Sequence, residues 1–159
     1  MCQPDISTSS RGVCFASAFG RYKLLIAGVQ IVMAGRVLMA VILIVEDDGF
    51  IREIAEMMIQ DLGHHILSAS DVDEALLLLR SPQHIDALFT DIYLRPLIHG
   101  GYDLAQQAIV LRPELRVLYT TGSSIDDKVK AIIAEGAHFL PKPYTQDQLQ
   151  DSIKELIAA

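Results

Sequence analysis

At 159 residues, 51% of them apolar, the chain is long enough to bury a sizeable core, and its composition argues against disorder. The net charge of −7 hides a split: residues 1–38 carry four basic residues against one acid, a net +3, and the rest carry nine against nineteen, a net −10. So acidic a body is a poor partner for nucleic-acid phosphates and suits metal cations and basic patches on other proteins. Both cysteines, Cys2 and Cys14, precede the body, which therefore has no disulfide framework or thiolate metal site and is compatible with a reducing cytoplasm.

Residues 1–38 form an N-terminal extension. Met1 to Arg21 is rich in Ser, Gly and Ala without a clear period, and Leu24 to Ala34 is mostly apolar, interrupted by Gln30. A spanning helix needs about 20 apolar residues, and reaching that length here means crossing Arg36 and consuming the first strand of the body. Stable membrane insertion is therefore not expected. Three readings stay open: Met39 is the true start and the upstream stretch an artefact of translation assignment, the stretch is a disordered or helical extension, or it is a targeting segment.

From Met39 the pattern alternates strand and helix five times. Val41-Ile42-Leu43-Ile44-Val45 reads as a buried strand ending at Glu46 and Asp47. A helix follows from about Asp48 to Leu62, with Ile51, Ile54, Ala55, Met58 and Leu62 on one face and Gly63 placed to end it. A strand over His65 to Ala69 leads to Asp71, whose spacing to Glu74 caps a helix over Ala75 to Leu79. Ala87 to Thr90 is the third strand, ending at Asp91, and after a loop with Pro96, Gly100 and Gly101 a helix runs from about Tyr102 to Leu111. Val117 to Thr120 ends at Thr121-Gly122; a fourth helix spans roughly Ile125 to Glu135; Phe139-Leu140-Pro141 ends at Lys142. The fifth helix opens on the Thr145/Gln148 capping-box spacing. Alternation of this kind implies one parallel sheet with helices on both faces.

Ligands of such a sheet sit outside the carboxyl ends of its strands. Glu46, Asp47, Asp91, Thr121 and Lys142 all fall there. Glu46 and Asp47 alone are as readily explained as acids complementing a helix dipole, and Asp48 as a cap. Asp91 shifts the balance, because three carboxylates at one edge repel one another until a cation relieves them, and Mg²⁺ takes such oxygen ligands. Thr121 can donate its hydroxyl to a phosphoryl oxygen, Gly122 leaves room for backbone approach, and Lys142, between Pro141 and Pro143, supplies a point charge for phosphate. The five histidines, at 64, 65, 84, 99 and 138, are scattered without metal spacing and read as surface or edge residues.

Together, Ile-Val-Glu46-Asp47-Asp48, Thr-Asp91-Ile, Tyr-Thr-Thr121-Gly122 and Phe139-Leu-Pro-Lys142-Pro143 resemble the receiver domain of two-component response regulators, over about Val41 to Ile157. The resemblance implies a flavodoxin-like, doubly wound five-stranded parallel sheet in the order 2-1-3-4-5. It implies Asp91 as phosphoacceptor from a sensor histidine kinase, and Mg²⁺ held by Glu46, Asp47, Asp91 and the backbone carbonyl of Tyr93. Thr121 and Lys142 then meet the phosphoryl group, and Phe139 matches the switch aromatic that turns inward with Thr121. From the residues alone, Phe139 is an ordinary core or edge aromatic.

The loop after Asp91 is about two residues longer than the common form, with Arg95-Pro96-Leu97-Ile98-His99 before the glycines, and Tyr93 at the site mouth is expected to slow attack by water. Function follows as an expectation: a cytoplasmic single-domain regulator with no output domain after Lys154, not an enzyme with a separate substrate, signalling through a downstream effector protein. The alternative is a phosphorelay intermediate or phosphate sink that passes the group to a histidine phosphotransfer protein. An aspartate phosphatase of the haloacid dehalogenase type is disfavoured because Tyr93 stands where its second acid belongs. Ile125, Val129, Ile132 and Ile133 on the fourth helix suit either a homodimer face or the core.

Overall fold

The computed structural model describes residues 39–97, 99–122, 127, 130, 131 and 136–158, and in the N-terminal segment 15–16, 21–26 and 29–34. The chain divides into two compact units, Met1–Leu38 and Met39–Ala159. In the first, β1 (Phe15–Ala16), β2 (Arg21–Ile26) and β3 (Val29–Ala34) form an antiparallel sheet in the order β1-β2-β3. β2 and β3 pair from Arg21↔Ala34 to Ile26↔Val29. The described residues of this segment are therefore strand, consistent with the Ile and Val content of β3, which favours strand over helix.

In the second unit, β4 (Val41–Val45), β5 (His65–Ala69), β6 (Ala87–Asp91), β7 (Arg116–Thr121) and β8 (His138–Pro141) form one sheet in the order β5-β4-β6-β7-β8. Every pairing is parallel. Counted within this unit the order is 2-1-3-4-5, the flavodoxin-like arrangement that the family resemblance implied. β4 and β6, in the middle with helices over both faces, are buried nearly throughout, and the edge strand β5 is only half-buried.

Side chains alternate between two cores. On one face Leu43, Val45, Leu88 and Tyr119 pack with α2 (Val72–Arg80) and α3 (Gly100–Leu111). On the other, Ile42, Ile44, Phe89, Leu118 and Leu140 pack with α1 (Gly49–Asp61) and α4 (Gln146–Ala158).

The caps fall where the sequence placed them. Asp48 accepts from the backbone N–H groups of Phe50 and Ile51, and Gly63, at φ 86°, ends α1 in the left-handed region that suits glycine. Asp71 Oδ1 accepts from Glu74 N at 2.8 Å, and Glu74 Oε2 returns to Ser70 N at 2.8 Å, so α2 starts at Val72 rather than Ala75. Thr145 and Gln148 make the full reciprocal box at the start of α4. α3 begins at Gly100, two residues before the expected start, because its first turn docks on the end of β6: Gly101 N donates to Ile92 O at 3.1 Å.

The helix expected over 125–135 falls largely outside the described residues; Asp127, Lys130 and Ala131 within it are helical. Ile125, Val129, Ile132 and Ile133, and with them the dimer face, lie outside the described residues. Among the described residues no helix is long and apolar enough to cross a membrane.

Candidate functional site

Parallel pairing puts Val45 beside Thr90, Asp91 beside Thr120 and Thr121 beside Pro141, so the ends of β4, β6, β7 and β8 share one edge. Three of the predicted residues touch there. Lys142 Nζ donates to Glu46 Oε2 at 2.5 Å and to Asp91 Oδ2 at 2.7 Å. All three side chains are largely buried, with 12% of Lys142, 6% of Glu46 and 12% of Asp91 exposed. Such burial is tolerable only because each charge has a partner; stripping one partner from a buried pair costs about 3–5 kcal/mol.

Burial pushes the Glu46 carboxyl above its ordinary value, Lys142 pulls it back, and neighbouring Asp91 adds to the rise. Burial alone would lower the Lys142 ammonium, but its hydrogen bonds to Asp91 and Glu46 outweigh that and hold it above 10.5. Lys142 is therefore a fixed positive charge beside the Asp91 carboxylate.

The backbone aims these groups. Tyr93 N donates to Asp91 Oδ1 at 2.9 Å, so both carboxylate oxygens of Asp91 are engaged. Asp48 N donates to Glu46 Oε1 at 3.3 Å, and Arg52 reaches the Glu46 carbonyl at 2.8 Å. Lys142 N donates to Thr121 O at 2.9 Å, tying the end of β8 to that of β7. The Lys142–Pro143 peptide bond is cis. Thr121 is buried, and Phe139, half-buried and in register with Tyr119, packs on the α2–α3 face.

Asp47 stands apart from this trio: its Oδ2 accepts from Arg95 Nε at 2.5 Å. Glu46, Asp47 and Asp91 are in kind the oxygen donors a hard divalent cation takes. As the side chains lie, no group of three acids, histidines or cysteines among the described residues is gathered as a metal-ligand set; the acids engage Lys142 and Arg95 instead.

Several contributors were missed in the sequence. A Cβ on Gly122 would make only ordinary protein contacts, at 3.6 Å with Lys142; the tight approach of backbone to backbone lies elsewhere. It occurs at Gly101, where an added Cβ would lie 1.7 Å from the Asp91 carbonyl oxygen. Tyr144 stacks edge-on against Phe89 at 6.0 Å, with its hydroxyl pushed up by burial near Lys142, Glu46 and Asp91. Arg95 was noted as part of the longer loop, but its partner across 48 residues was not foreseeable.

The family model described as the response regulator receiver domain matches residues 42–154. The alginate biosynthesis transcriptional regulatory protein AlgB of Pseudomonas putida is 34% identical over 110 residues, covering 69% of this chain and 24% of AlgB. The probable transcriptional regulator ycf27 of Porphyridium aerugineum is 26% identical over 119 residues, covering 73% of this chain and 47% of ycf27. The chain thus spans less than half the length of these curated relatives. Among solved structures, a response regulator receiver domain protein of Clostridium thermocellum superposes with a TM-score of 0.68 at 27% identity, covering 76% of this chain and 95% of that one. NtrX of Brucella abortus gives 0.68 at 28% identity, covering 76% of this chain and 27% of NtrX. With its sheet order, its acid edge and the family match over 42–154 in agreement, the chain belongs to the response regulator receiver family of two-component signalling.

Proposed function

We propose that this chain is a cytoplasmic response regulator whose receiver, in residues 39–159, accepts a phosphoryl group on Asp91 from a sensor histidine kinase. The observation that carries the proposal is the buried Glu46–Lys142–Asp91 triad at the carboxyl edge of the sheet. The Asp91 carboxylate attacks the phosphorus of a phosphohistidine, the P–N bond breaks, and the imidazole leaves with the electron pair and takes up a proton. Lys142 stays an ammonium throughout and neutralises charge on the transferred group. Tyr93 N–H holds the attacking carboxylate in orientation. Glu46, Asp47, Asp91 and the Tyr93 carbonyl are the groups that would hold Mg²⁺, which supplies charge neutralisation of the phosphoryl oxygens when bound.

Output follows from the change of charge. The aspartyl phosphate draws the Thr121 hydroxyl, and Phe139, one strand over, takes the space so opened, altering a surface that an effector protein reads. No separate substrate is turned over; the chain catalyses only its own phosphorylation and hydrolysis. The test is intact mass after incubation with a small-molecule phosphodonor. One phosphoryl adduct is expected on wild type with Mg²⁺, and none on Asp91→Ala or with chelator present. An adduct of equal yield on Asp91→Ala sinks the proposal.

A further inference from the structure

Arg95 projects from the loop between β6 and α3, and this loop is anchored at several points. Ile92 N donates to Thr120 O at 2.9 Å, Leu94 is fully buried, the Tyr93 and His99 rings lie 5.3 Å apart, and Gly101 N donates to Ile92 O. The Arg95 side chain is 81% exposed and the Asp47 carboxylate it holds only 16% exposed. The loop therefore presents an exposed guanidinium to a largely buried acid. Among the described residues the ion pairs of Lys142 go to Glu46 and Asp91, and that of Asp47 goes to Arg95. A guanidinium and a divalent cation need the same lone pairs of Asp47 Oδ2 and repel each other.

We propose that Arg95 is a loop-borne counter-cation that holds Asp47 while no divalent ion is bound and leaves it when one binds, so that this residue sets the divalent affinity of the site. The proposal rests on the Mg²⁺ reading above. Loop position matters as much as charge: with Leu94 buried directly before it, the arginine reaches Asp47 without movement of the backbone.

The test is calorimetric titration of the full chain with Mg²⁺ for wild type, Arg95→Gln and Lys154→Gln. Lys154→Gln removes an equal charge from an exposed residue of α4. Exposed ion pairs are worth little, so Arg95→Gln is expected to bind Mg²⁺ about three- to fivefold more tightly, with Lys154→Gln within the error of wild type. An independent readout is the Nε–H resonance of Arg95 by NMR, expected to shift to the solvent-exposed position both in Asp47→Asn and as Mg²⁺ is added to wild type. Equal affinity in wild type and Arg95→Gln, an equal gain in Lys154→Gln, or a resonance unmoved by Mg²⁺ overturns the counter-cation while leaving the metal site intact. No binding by wild type or Arg95→Gln overturns both readings, whereas binding by Arg95→Gln alone supports the counter-cation.

Discussion

Gly101→Ala tests how the site is built from the backbone outward. The new methyl group would sit 1.7 Å from the Asp91 carbonyl oxygen, 2.7 Å from Thr90 Oγ1 and 2.8 Å from the Asp91 carbonyl carbon. Two of these three atoms are backbone of a central strand, so no side-chain rotation clears them; α3 must move away from β6 by more than an ångström. That motion opens the packing of Leu104, Ala105 and Ala108, all fully buried.

Overpacking of a core costs about 1–3 kcal/mol and sometimes more, and a clash against backbone belongs at the upper end, about 3 kcal/mol. At about 3–6 °C per kcal/mol for a domain of this size, the melting temperature should fall by roughly 9–18 °C. Gly63→Ala is the comparison, because it meets nothing within 4 Å but has φ of +86°. Left-handed strain of about 1–2 kcal/mol, offset by about 0.4–1 kcal/mol from a stiffer unfolded chain, leaves a loss near 1 kcal/mol. Thermal melts of both variants by circular dichroism decide the matter. A Gly101→Ala protein that melts within a few degrees of Gly63→Ala would refute the close-approach argument.

Arg112 donates to three carbonyls, Leu79 at 2.8 Å, Ser81 at 2.7 Å and Gln83 at 2.8 Å, clamping the end of α2 to that of α3. Arg112→Ala should lose about 2–4 kcal/mol in urea unfolding, since bonds to a charged donor are worth about 1.5–3 kcal/mol each and do not add fully. Arg112→Lys should recover less than half, because an ammonium lacks the fork, and full recovery contradicts the clamp. His64 accepts from Ala40 N at Nδ1 at 3.3 Å, and burial holds its pKa below 6.5. The unfolded chain therefore binds the proton first: the contribution is complete above pH 6.5 and lost as pH falls from there through the lowered folded value. His64→Gln should flatten the pH dependence of the urea midpoint over that interval, and an unchanged slope contradicts it.

What the sequence made legible was local or periodic. Strand ends were readable because apolar runs stop at Glu46, Asp91, Thr121 and Lys142, and the parallel order then gathers those ends at one edge. Caps at Asp48, Asp71 and Thr145 were readable from spacings of two to three residues. The contacts missed join distant positions: Arg95 with Asp47, Arg112 with the 79–83 turn, Gly101 with the Asp91 carbonyl. None leaves a periodic trace, since each depends on where two elements happen to approach. Within the N-terminal segment the apolar run suits strand and helix alike, so the pairing of Arg21–Ile26 with Val29–Ala34 could not be read from it.

The central claim is that Asp91 is the residue that carries the phosphoryl group. Borohydride reduces an aspartyl phosphate to homoserine, so trapping the phosphorylated chain and sequencing its peptides by mass spectrometry reads the acceptor directly. Homoserine at position 91, formed only with Mg²⁺ and phosphodonor present, is the predicted result. Homoserine at 47 or 48, or 5-hydroxynorvaline at Glu46, with Asp91 intact would contradict that assignment.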